Sequence, residues 1–234
     1  MNFQANIDQD SSREETGKAQ GSSAVSAARI SLTAAVSVCF LLLILHAIKP
    51  EFEPSWRFLS EYAIGQNGWI MVLCFQIWAL SYAALFVALR NIVTTRSGRI
   101  GTYLLLLVAA SLILAGLFAQ DPVTAKPGDL TLHGNIHGLA AMIGIPAIPI
   151  AALLITLGLT RNHPRWQSQR GLLLWLAHLC WISLAIMAVY LIWAVPRAGG
   201  FTPDVWAGWT NRFVVAIYLA WQVTVAHRIL RAAP

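Results

Sequence analysis

Six stretches of the chain stay apolar for about twenty residues each, at about 30–48, 69–89, 100–119, 136–159, 172–194 and 209–226. None alternates with period two, and none confines its apolar residues to one helical stripe. A helix that is apolar all round is either buried on every side or faces lipid. About 20 such residues cross the ~30 Å hydrocarbon layer. Lipid offers no partner to backbone N–H and C=O groups, so an isolated span must be a helix. The expected fold class is therefore all-α: a polytopic membrane protein with a bundle of six transmembrane helices over residues 29–231. The connections are short, so helices that follow one another should pack antiparallel. Residues 1–28 are polar and mixed in charge, with few apolar groups to bury, and read as a disordered tail. The first run is too long for a signal-peptide core. It has no small-x-small cleavage site before His46, Lys49 and Pro50, so it reads as an uncleaved span.

Composition agrees with the pattern. Apolar residues make up 57% of the chain and charged residues 11%, against about 45–50% and about 25% in soluble domains. Such a shortage of charge excludes a soluble enzyme, a disordered regulator and a water-borne nucleic-acid binder. The net charge of +6 concerns topology instead. Eleven of the sixteen Lys and Arg residues lie in the tail, the second and fourth loops and the C-terminus. The positive-inside rule then puts both termini in the cytoplasm. Glu51, Glu53, Glu61, Asp121, Asp129 and Asp204 all fall in the three opposite loops, and the cytoplasmic loops carry no acid. The expected partner is the lipid bilayer, with no nucleic acid. Trp56, Trp69, Trp193, Trp206 and Trp209 cluster at the expected outer boundary, where indoles favour the lipid–water interface. Cys39, Cys74 and Cys180 lie inside apolar runs without a CxxC spacing and read as small core residues. The two halves of the chain show no convincing internal repeat.

The polar chemistry gathers in the outward loops. The first carries His46, Glu51, Glu53, Arg57, Ser60, Glu61 and Tyr62; the second carries Asp121, then His133 and His137. His133 and His137 are four apart, so a helix begun by Thr131 would point both rings to one face. With His46 at a similar depth they form a candidate zinc set. Glu61 or Asp121 would then be the catalytic base for a bound water. The plainer alternative is a pair of interfacial histidines bonded to backbone or water. Pro50, Pro54 and the aromatic residues around Arg57 should hold the first loop against the membrane surface. A carboxylate there would be partly desolvated, with its proton affinity raised. Ser60 reads as the cap of a short helix. Gly134 and Gly138 form a small-xxx-small pair suited to close helix approach. Pro146 and Pro149 should bend the fourth span and free carbonyls. His178 is the one ionisable side chain well inside a span, either a functional group or a neutral residue bonded to a neighbouring helix.

Leu45-His46, Pro50-Glu51, Pro54, Ser60-Glu61-Tyr62-Ala63-Ile64-Gly65, Gly68-Trp69, Asp121-Pro122 and His133-Gly134-Asn135-Ile136-His137 stand in a familiar order. In this the chain resembles the bacterial and archaeal integral membrane family catalogued as domain of unknown function 998, over roughly residues 30–230. The Ser-Glu-Tyr-Ala block is the most specific part. Members typically show Phe-Pro-x-Asp where this chain has Phe118-Ala119-Gln120-Asp121, so one proline is missing. The position of His133 is often a small polar residue in the family, which makes His137 the better ligand candidate. The resemblance implies a multi-pass protein of a bacterial cytoplasmic membrane and no particular activity. Three functions are expected of the outer face. The first is binding or moving a lipid head group, small polar solute or cation at His46, Glu51, Glu53, Arg57, Ser60, Glu61, Tyr62, Asp121 and His137. The second is a metal-dependent lipid hydrolase or transferase at the outer leaflet, and the third a structural partner subunit of a membrane complex.

Overall fold

The computed structural model describes residues 3–162 and 164–232, with side chains from Gly21 onward apart from Asn162. The elements are α1 (Phe3–Ile48), a 3-10 turn (Leu59–Ala63), α2 (Gly68–Leu89) and α3 (Arg96–Leu117). A second 3-10 turn (Pro127–Asp129) follows, then α4 (Leu132–Asn162), the single turn α5 (Pro164–Gln167), α6 (Arg170–Arg197) and α7 (Ala207–Ala232). The described residues contain no strand. Six segments are long and apolar enough to cross a membrane: Gly21–Ile48, Gly68–Leu89, Arg96–Leu117, Leu132–Arg161, Arg170–Arg197 and Ala207–Ala232. These are the six expected spans; all start earlier than expected, and the third ends two residues sooner. The expected tail over 1–28 falls largely outside the described side chains. α1 already includes Ala27 and Ala28, which are buried. Small residues pack closely without adding hydropathy, so the apolar pattern does not register this part of the helix.

Each spanning helix packs on the next, and α7 returns to α1, so the bundle closes into a ring. Tyr82, Leu85, Ile155, Leu173, Tyr218 and Trp221 fill the interior. Phe40, Met142, Val189 and Ile192 are exposed on the outside, as lipid-facing side chains are. A close helix approach lies elsewhere than expected. A Cβ on Gly158 would stand 2.9 Å from the Gly98 Cα, so this pair sets the spacing of α3 and α4. Gly138 faces open space, and Gly134 lies against the Asp121 side chain rather than a helix.

Two polar contacts tie the interior together. α4 runs through Pro146 and Pro149 as one helix. Pro149 has no N–H to give the Ile145 carbonyl, and the Tyr218 hydroxyl of α7 donates to that carbonyl at 3.1 Å. The freed carbonyl is thus satisfied from a neighbouring helix. Gln222 of α7 donates to the Ser81 hydroxyl at 2.7 Å and accepts from the Trp78 indole at 3.1 Å. Ser81 in turn donates to the Ser31 carbonyl at 2.7 Å, which joins α1, α2 and α7. His178 is not part of this interior. It is exposed, and its Nδ1 lies 2.6 Å from the Leu174 carbonyl of its own helix.

Candidate functional site

The connections 49–67, 118–131 and 198–206 share one end of the bundle, here called the polar end. The opposite, arginine-rich end carries the loop 90–95, α5 and the close of α7. At the polar end the first turns of α7 form a platform for the first loop. Gly208 is needed there because a Cβ would stand 2.3 Å from the Pro54 carbonyl oxygen. The Trp209 amide donates to the Ser55 carbonyl at 3.1 Å. The Asn211 side chain accepts from the Leu59 amide, also at 3.1 Å.

Arg212 is the hub of this platform. Its guanidinium donates to His46 Nε2 at 2.8 Å, the Arg57 carbonyl at 2.7 Å, the Gly208 carbonyl at 3.1 Å and the Tyr62 hydroxyl at 3.0 Å. A guanidinium only donates. His46 Nε2 is therefore an acceptor, and the ring proton sits on Nδ1, 2.6 Å from the Leu42 carbonyl. Both nitrogens of His46 are engaged within the protein. Tyr62 is buried, edge-on to His46 at 5.3 Å and to Phe52 at 5.9 Å between ring centres.

Glu61 lies just above, in the 3-10 turn, and is 0% exposed. One carboxylate oxygen accepts from the Phe58 amide at 2.9 Å and closes the turn. The other accepts from the Val123 amide at 2.9 Å and faces Arg57 Nη2 at 2.8 Å. Burial pushes this carboxyl above the ordinary carboxylate range, and the Val123 amide, Arg57, the Phe58 amide and Arg212 pull it partway back. Arg57 also stacks over Phe52 at 5.1 Å and Trp56 at 4.8 Å. Lys49 is buried too. Its ammonium donates to the Ile64 and Gln66 carbonyls and pairs at 3.6 Å with the exposed Glu51.

The other expected site residues are more scattered. Ser60 donates to the Gln120 side chain and caps nothing; Glu61 takes the capping role. Glu53 is exposed and accepts from Ser55 at 2.6 Å. Asp121 accepts from the Thr131 amide at 2.8 Å and hydroxyl at 2.9 Å, and Thr131 in turn caps α4 through the Gly134 amide at 3.0 Å. Asp121 therefore fixes the start of α4. His133 and His137 both turn toward the close of α3, as their spacing requires, but in different settings. His133 is exposed and packs edge-on to Phe118 at 5.3 Å. His137 is buried, with Nδ1 3.0 Å from the Ala115 and Phe118 carbonyls. Among the described residues no three His, Cys, Asp or Glu side chains gather as a metal-ligand set. The candidate zinc trio of His46, His133 and His137 is not brought together.

What the geometry does join is His46, Arg57, Glu61, Tyr62 and Arg212. Arg212 and its neighbours Gly208 and Asn211 are not among the residues that the sequence pattern singles out. The available signal was a cation and an amide, Asn211-Arg212, inside the first turns of an apolar span. No curated protein and no solved structure matches the chain. Residues 32–228 match the family model described as "Protein of unknown function (DUF998)", and the chain belongs to that family.

Proposed function

We propose that the chain is a multi-pass protein of the cytoplasmic membrane with both termini in the cytoplasm, and that its outward polar end binds or moves a lipid head group, small polar solute or cation. The observation that carries this reading is the buried Glu61–Arg57 pair beside the Arg212 hub. Taking such charges out of water costs several kcal/mol per ion even after relaxation, and packing alone is served as well by apolar residues. Arg212 stands in the first turns of α7, and an ionisable group within a span is a functional candidate by default. Arg57 is 14% exposed and Glu61 not at all, so a phosphate-bearing head group would meet the guanidinium first. Such a ligand would compete with Glu61 for Arg57.

The lipid-hydrolase alternative has less support, because His46 has no nitrogen lone pair left to give a metal. The test is thermal unfolding of the purified full chain with and without phosphoethanolamine as the head-group probe. The melting temperature should rise in the parent and not in Arg57→Gln, and it should rise at least as much in Glu61→Gln, which removes the competitor for Arg57. A rise in Arg57→Gln equal to the parent's overturns the reading. A parent that responds to no head group, solute or cation, but co-purifies with a partner released by Arg57→Gln, favours the structural-subunit alternative.

A further inference from the structure

At the arginine-rich end, α5, the start of α6 and the close of α7 border an open cavity of about 480 Å³. It is lined by Arg165, Trp166, Ser168, Gln169, Arg228 and Arg231. Trp166 is buried and forms its floor. Three guanidiniums line it, and no described carboxylate pairs with them: both ion pairs among the described residues lie at the polar end. Arg165 is anchored by donating to the Ala232 carbonyl at 2.8 Å, which braces α5 against α7. Between Asp129 and the C-terminus the sequence holds a single acid, Asp204, at the polar end. The first turn of α6, which no side chain caps at Gln169, adds to the positive field, and the last carbonyls of α7 offset part of it. Immediately along α6, Leu172 and Trp175 are exposed apolar side chains.

We propose that this cavity binds the phosphate of an anionic phospholipid, with Arg165, Arg228 and Arg231 as its ligands and the acyl chains lying along Leu172 and Trp175. Guanidiniums match phosphate oxygens in charge and geometry. Basic pockets between spanning helices at the membrane surface are suited to phospholipid head groups. The apolar α6 surface beside the cavity favours a lipid over a free anion. This site is separate from the polar end and does not depend on the function proposed for it.

The experiment is thermal unfolding of the purified full chain in neutral detergent, titrated with phosphatidylglycerol, phosphatidylcholine or inorganic phosphate. Phosphatidylglycerol should raise the melting temperature, and the other two should not at the same concentration. In an Arg228→Gln, Arg231→Gln double variant the phosphatidylglycerol needed for half the effect should rise about 25-fold, at about fivefold per arginine. Neither residue has a partner within the described protein, so the variant should fold, and Arg228→Lys, Arg231→Lys should recover most of the response. Arg90→Gln with Arg96→Gln, at the same end but outside the cavity, should leave it intact. An unchanged response in the first variant, or an equal loss in the Arg90, Arg96 variant, overturns the site. Equal stabilisation by inorganic phosphate overturns the lipid assignment.

Discussion

Glu61 receives two backbone amides and a guanidinium, and burial still outweighs them in its proton affinity. Because the folded carboxyl holds its proton more tightly than the unfolded one, its contribution to stability is fully present below the unfolded pKa. That contribution is lost as pH rises through the folded value. Glu61→Gln removes the titration. The stability gap between parent and variant should therefore narrow as pH climbs upward from the ordinary carboxylate range. Thermal unfolding of both proteins across that range checks this, and a gap that widens with pH contradicts it. The sequence announced that a carboxylate in this loop would be desolvated, because prolines and aromatics surround it. It did not announce which one. Glu51, Glu53 and Glu61 look alike along the chain. They separate only because the 3-10 turn points Glu61 inward while the other two stay in water.

The contact between α4 and α7 is a prediction at the scale of elements. Tyr218→Phe removes the donor to the Ile145 carbonyl and leaves a polar group unpaired inside the bundle. The expected cost is about 1–3 kcal/mol. Pro149→Ala supplies a backbone N–H in register with that same carbonyl. It should make Tyr218→Phe nearly neutral, so the two substitutions are coupled rather than additive. A double-mutant cycle by thermal unfolding measures the coupling, and simple additivity would show that the hydroxyl does not serve this carbonyl. The prolines and the freed carbonyls were legible in the sequence. Their partner was not, because the tyrosine lies about seventy residues further on with nothing nearby to mark it. The same limit explains the glycines. Gly134 and Gly138 have the expected spacing, whereas Gly98 and Gly158 come from two different helices, and only the packed pair reveals them.

At the scale of the molecule the six spans were plain, because length and hydropathy are local properties that the bilayer reads directly. The assembly of the polar end was not, because it depends on α7 meeting residues near the end of α1. The distribution of Lys and Arg leads to a test of orientation. Single cysteines placed at exposed Asp129 and Ser168, in a chain freed of its native cysteines, should label oppositely with a membrane-impermeant maleimide. Asp129 should react in intact cells and Ser168 only after permeabilisation. Labelling of Ser168 alone in intact cells would invert the molecule and remove the outward site with it.

The reach from His46 to Arg212 bears on how the protein is made. Each greasy segment can enter the bilayer as it leaves the ribosome, guided by its own hydropathy. The first loop has no such independence. Its seat on Gly208, its bond to Asn211 and its guanidinium hub exist only after the final helix has been synthesised. The earliest loop of the chain is therefore among the last parts to settle, and until then His46, Tyr62 and the Leu59 amide lack their α7 partners. A nascent chain stopped before residue 207 would carry five inserted helices and an unfinished cap, the form that cellular quality control would be expected to recognise.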